Sequence, residues 1–124
     1  MRGLDPIVLE ESFTIGREAL LNALAHSGAL HVELEIAYDA SQFRLRIRDD
    51  GRGIDPEVLG RGGRADHWGL QGMRERARRI GANLELWSRP GAGTEVELKV
   101  PAATAYRSAH AAATTSRFRR SAGR

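Results

Sequence analysis

The sequence predicts an α+β fold, a two-layer sandwich with helices on one face of a mixed, mostly antiparallel sheet. Two segments carry helical periodicity, four short segments alternate apolar and charged residues, and the order is helix, two strands, loop, helix, two strands. Strands that follow one another through short turns pair as hairpins rather than through crossovers, which leaves the helices to gather on one side.

Residues 7–27, IVLEESFTIGREALLNALAHS, give the first helix. At about 100° per residue, Leu9, Phe13, Leu20 and Leu24 fall on one side and Glu11, Glu18, Asn22 and His26 on the other, so the leucine side is expected in the core. LHVELEIA (30–37) and FRLRIRD (43–49) alternate as strands, with YDASQ as the hairpin turn between them. DPEVLG can form a short helix with Asp55 as cap and Pro56 in its first turn. GRGGRADHWG (60–69) is too rich in glycine and polar residues to pack as a regular element and reads as a mobile loop. LQGMRERARRI makes the second helix, stopped near Gly81, and NLELWS and TEVELKV are two further strands about the tight turn RPGAG. Residues 1–101 are expected to form one domain and 102–124 a flexible, basic tail rich in Ala, Ser and Arg.

A chain of 124 residues fits one core, which buries roughly two-thirds of the surface of the unfolded chain. The absence of cysteine excludes disulfides and thiolate metal sites and suits a reducing cytoplasm. No apolar run approaches the roughly 20 residues of a membrane span, and MRGLDPIVLEES does not read as a signal peptide. The formal charge of +3 is a property of the tail: residues 1–99 hold 14 basic and 16 acidic residues, a net of −2, whereas residues 100–124 hold five arginines and no acid. Nucleic acid is therefore not an expected partner of the domain.

Two groups of residues could carry chemistry. Glu18, Asn22 and His26 stand four residues apart in one helical row. Such a row could hold a hydrated magnesium ion with phosphates, or could be the wet side of an amphipathic helix. DDGRGID (49–55) places Asp49 and Asp50 before Gly51 and Gly53 at the end of a strand, which is either a turn or a pocket floor where a ligand reaches backbone and carboxylate. Further glycines, from Gly60 to Gly63 and at Gly69 and Gly72, lead into the second helix, where free N–H groups favour phosphate. The spacing matches neither a P-loop nor a dinucleotide fingerprint. His31, the RERARR run (74–79), Trp68 and Trp87 have ordinary readings as solvated or packing residues.

In order along the chain, REALLNALAHSGA, DDGRGID, HWGLQGMRERARRIGA and GAGTEVEL resemble the motifs of the ATP-binding domain of sensor histidine kinases, within the superfamily that includes gyrase B, the mismatch-repair ATPases and the heat-shock chaperone ATPases. The resemblance covers about residues 8–101, and GLQGMRERARRIGA points to the nitrate-sensor-like subfamily. It implies the Bergerat-type ATP-binding fold, with ATP and magnesium (Mg2+) as ligands. It further implies that Asp49 accepts a hydrogen bond from the adenine amino group, that Gly51 and Gly53 let the base lie against backbone, and that Thr94 joins the water network at adenine. Asn22 would hold magnesium and Glu18 would order a metal-bound water. His26, Arg61, Arg64 and His67 would lie on the phosphate side, and Gly69, Leu70, Gly72 and Met73 would form the far edge of the lid. Asp50 departs from the Asn common in the wider superfamily. The partners implied are a histidine-bearing dimerisation domain, in the same longer chain or in trans, and a response regulator. A chain of this kind alone would be inactive for want of the acceptor histidine, since His26 falls in the expected pocket and His31 on a strand. An anti-sigma-factor-like serine kinase shares the fold, and a non-catalytic nucleotide-binding module would keep Asp49 and the glycines.

Overall fold

The structure, a computed structural model, describes residues 3–25, 28–54 and 68–106. Helix α1 spans Pro6–Ala25. Asp5 caps it: its Oδ1 accepts from the backbone N–H of Ile7 at 2.9 Å and of Val8 at 3.3 Å, while Pro6 fills the first position, where no N–H is needed. Strands β1 (Val32–Tyr38) and β2 (Gln42–Asp49) follow as a hairpin. Helix α2 (Leu70–Arg79) ends where Gly81 donates to the Arg78 carbonyl at 3.1 Å. Strands β3 (Asn83–Arg89) and β4 (Gly93–Pro101) complete the sheet, and a short helix α3 (Ala102–Ala105) closes the described chain.

The strand order is β1-β2-β4-β3, so β4 lies in the middle beside β2. Every pairing is antiparallel, so the parallel component of the expected mixed sheet does not occur among the described residues. The two hairpins account for this, each pairing its own strands and meeting the other through two strands that run in opposite directions. The alternation expected of the strands is present: Phe43, Leu45 and Ile47 of β2 and Val96, Leu98 and Val100 of β4 form adjacent inward rows, each residue buried. Met73, Ala77 and Ile80 of the α2 segment pack on that core with Val8, Ile15 and Ala19 of α1.

On the outer face, the arginines of β2 stand between glutamates of both neighbouring strands. Arg46 lies 2.7 Å from Glu35, Arg48 lies 2.7 Å from Glu33, and Glu95 and Glu97 of β4 approach the same row from the other side. Hydrogen bonding to Glu33 holds the Arg48 guanidinium more firmly protonated than usual. The charges of FRLRIRD are thus met within the sheet.

One sequence expectation is overturned. The buried stripe of α1 is Val8, Ser12, Ile15, Ala19 and Ala23, whereas Leu9, Phe13 and Leu24 of the leucine side are 53%, 67% and 66% exposed. Ser12, Ala19 and Ala23 are small, and α1 runs close enough to β2 that a Cβ at Gly16 would stand 2.9 Å from the Leu45 side chain, so a narrow stripe packs tightly there. Leu9, Phe13 and Leu20 border an open groove of about 290 Å³ between α1 and the β1–β2 hairpin. Conversely, the row of Glu11, Glu18 and Asn22 faces α2 and the residues leading into it rather than water: Glu11 pairs with Arg76 at 2.8 Å, a hydrogen bond that holds its carboxyl below the usual range.

Packing continues past residue 101. Ala105 and Tyr106 are buried, the Asp5 N–H donates to the Ala105 carbonyl at 2.7 Å, and the Tyr106 hydroxyl donates to the carbonyl of Asp39 at 3.0 Å. The remainder of the proposed tail, 107–124, lies outside the described residues.

Candidate nucleotide-binding site

The inward rows of the sheet change character at one end. Continuing Phe43, Leu45, Ile47 by two residues gives Asp49, and continuing Val100, Leu98, Val96 gives Thr94; the two are cross-strand partners. Ser88 on β3 is in turn paired with Thr94, and their hydroxyls are 2.8 Å apart. The alternation that builds the core therefore sets a carboxylate and two hydroxyls side by side on the core-facing side of the sheet. Asp49 is only 7% exposed, and its Oδ1 accepts from the Gly51 N–H at 2.8 Å, which turns the chain out of β2. Ser88 also accepts from the Ile54 N–H at 2.7 Å and so fastens the loop after DDGRG to the sheet.

The two helices close over this end. Ala19, Asn22, Asp49, Ile54, Leu70 and Thr94 line one cavity with Trp68. Its volume is about 20 Å³. That admits roughly a single water. Asn22 Nδ2 donates to the Trp68 carbonyl at 2.6 Å, and Glu18 lies against Gly69.

Of the residues singled out in the sequence, Asn22, Asp49, Leu70 and Thr94 meet at the cavity, with Glu18 and Gly69 at its edge. Gly51 is placed by Asp49, as described. Gly53 stands against the β3–β4 turn: at φ 77°, a Cβ there would collide with the Arg89 carbonyl oxygen. Met73 is 2% exposed and belongs to the core, because at position four of α2 it points at the sheet; Gly72 faces open space. His26, Arg61, Arg64 and His67, with the short helix expected at Asp55, lie outside the described residues.

Asp50 acquires a role that the sequence left open. Its Oδ1 accepts from the N–H groups of Leu30 at 2.9 Å and His31 at 3.0 Å, and its Oδ2 meets His31 Nδ1 at 2.9 Å. These bonds, led by the His31 N–H, hold its carboxyl below the usual range. Asp50 thus ties the segment before β1 to the end of β2, next to Asp49. Ser88 was also missed; its parity with Leu84 and Leu86 in NLELWS is the signal that would have placed it inward.

The donors present suit magnesium. Asn22 and Glu18 offer hard oxygens, and among the described residues no three His, Cys, Asp or Glu side chains gather into a cage. Magnesium commonly takes one or two protein oxygens and completes its shell with phosphates and water.

An antiparallel sheet carries helices on one face and a single buried acid, Asp49, at the end of an inward row, and comparison with known proteins places the chain in a family. The sequence profile of the histidine kinase-, DNA gyrase B- and HSP90-like ATPases matches residues 10–104, and the chain belongs to that family. Sensor histidine kinase LiaS of Bacillus subtilis is 38% identical over 94 residues, covering 76% of this chain and 25% of LiaS. Sensor protein VraS of Staphylococcus saprophyticus is 40% identical over 91 residues, covering 72% of this chain and 24% of VraS. The chain thus spans about a quarter of the length of these relatives. Among solved structures, the blue-light activated histidine kinase of Erythrobacter litoralis EL346 aligns with a TM-score of 0.60 at 28% identity, over 73% of this chain and 29% of that one. The ATP binding domain of PrrB from Mycobacterium tuberculosis shares the fold, with a TM-score of 0.57 at 24% identity over 74% of this chain and 67% of that one.

Proposed function

We propose that the chain is the catalytic, ATP-binding part of a two-component sensor histidine kinase, delivering the γ-phosphoryl group of ATP to a histidine on a separate dimerisation domain, from which a response regulator takes it. The observation that carries this reading is the placement of Asp49 and Thr94 at the ends of paired inward rows beneath Asn22. Gly51 occupies Asp49 Oδ1, so the adenine amino group would meet the other carboxylate oxygen, and Thr94 with Ser88 would order water beside the ring. Asn22 and Glu18 would hold magnesium and its water, with His26, Arg61, Arg64 and His67 on the phosphate side. When bound, magnesium neutralises charge on the phosphates. A cavity of about 20 Å³ cannot admit a base, so the side chains around it must make room on binding. Among the described residues, no helix is long and apolar enough to cross a membrane, and we place the domain on the cytoplasmic side, where ATP is available.

The chemistry asks for position more than for a reactive side chain. Phosphoryl transfer gains roughly 7 to 11 kcal/mol from holding nucleophile and phosphate in line, and the nucleophile here belongs to another domain. The similarity to sensor histidine kinases favours this reading over a serine kinase of the anti-sigma type, and the presence of Glu18 and Asn22 favours it over a purely nucleotide-sensing module. The chain is expected to take up almost no label from γ-labelled ATP by itself and to label an added histidine-bearing dimerisation domain from a related kinase, with an acid-labile, base-stable bond. Strong self-labelling, or acid-stable phosphate on serine, would overturn the proposal.

A further inference from the structure

Asn22 is the residue expected to touch magnesium, and an asparagine can present either an oxygen or an NH2 group to a site. Only the oxygen can bind a cation. What fixes the choice is visible in the structure. The Trp68 carbonyl, which can only accept, lies 2.6 Å from the amide nitrogen of Asn22, so that end of the amide is taken at the entry of α2 and the oxygen is the end left to offer a cation. The direction of the Trp68 carbonyl is fixed in its turn by Gly69. That residue caps α2 at φ 69°, and its α-carbon sits so close to Glu18 that a Cβ would stand 2.8 Å from Glu18 Oε2. A residue with a side chain would have to leave this conformation or displace the second of the two expected metal-side groups.

We infer that the Trp68 carbonyl is a positioning group for magnesium: by taking the Asn22 amide nitrogen, it orients the Asn22 oxygen toward the metal and joins the metal-side face of α1 to the N-terminal end of α2. This rests on the proposed function, in which a magnesium nucleotide binds at Asn22. Outer hydrogen bonds that orient a metal ligand are worth about 10- to 100-fold in metal affinity. The arrangement also makes a prediction that simple ligand chemistry does not. Asn22→Asp adds charge and keeps an oxygen donor, which by itself should strengthen magnesium binding. It also removes the N–H and sets a carboxylate against the Trp68 carbonyl.

The test is nucleotide binding by the whole chain, with and without magnesium, for the native sequence, Asn22→Asp and Asn22→Ala, together with NMR of the Asn22 side-chain NH2 group. The native chain is expected to bind ADP more tightly with magnesium. Asn22→Asp is expected to lose about 10- to 100-fold of that magnesium-dependent affinity, as Asn22→Ala does, while both variants remain folded by circular dichroism. The Asn22 NH2 protons should exchange slowly with solvent and remain protected when magnesium and ADP are bound. If Asn22→Asp binds magnesium nucleotide as well as the native chain while Asn22→Ala does not, Asn22 is a metal ligand without a positioning partner and the inference is overturned. Loss of NH2 protection on loading overturns it equally. If native binding shows no dependence on magnesium, the placement of the metal at Asn22 fails and the inference falls with it.

Discussion

Asp49→Asn is expected to lower the affinity for ATP by about 10- to 150-fold and to leave the fold intact. A hydrogen bond to a charged group contributes about 1.5 to 3 kcal/mol, and each 1.4 kcal/mol is tenfold in affinity. Asparagine keeps an oxygen for the Gly51 N–H, the 2.8 Å bond that turns the chain out of β2, so the turn survives. What it changes is the group offered to the base. An NH2 placed there would confront the adenine amino group, donor against donor. Calorimetry with a thermal melt of the same sample separates the two effects. Unchanged ATP affinity in a folded variant would show that this carboxylate does not meet the base.

The largest effect on stability is expected from Ile15→Ala, and the contrast with Phe13→Ala is the sharper observation. Ile15 is fully buried between α1 and the sheet, and removing its side chain should cost about 2 to 5 kcal/mol. Phe13 is the larger residue, yet it is 67% exposed, and its loss should change stability by less than about 0.5 kcal/mol. Urea unfolding followed by circular dichroism gives both values. Equal costs would mean that the leucine side of α1 lies in the core after all and that the helix is rotated from its position here.

That contrast marks where the sequence was legible. Strands read correctly because a period of two leaves little freedom: once Leu45 and Ile47 point inward, Asp49 must follow. The same parity applied to NLELWS places Ser88 beside Thr94, and Asp5 with Pro6 carries the same cap signal as Asp55 with Pro56. The helix misled because both of its sides hold apolar residues. Ile15, Ala19 and Ala23 make a modest stripe beside the conspicuous Leu9, Phe13, Leu20 and Leu24, and only tertiary contact shows which stripe meets the sheet. Met73 shows the same difficulty at the site, since a residue next to a glycine-rich helix start can face either a ligand or the core. Asp50 could not be read at all, because its partners Leu30 and His31 stand 20 and 19 residues away and nothing local announces them.

The measurement closest to the central claim compares ATP with GTP, each with magnesium, on the unmodified chain. Guanine carries a carbonyl where adenine carries its amino group, so the Asp49 carboxylate would meet an acceptor instead of a donor and remain unpaired in a buried place, at a cost of about 1 to 3 kcal/mol. Calorimetry is therefore expected to show ATP binding roughly 5- to 150-fold more tightly than GTP. GTP binding as tight as ATP would contradict Asp49 as the reader of the base, and with it the nucleotide site built on the end of β2.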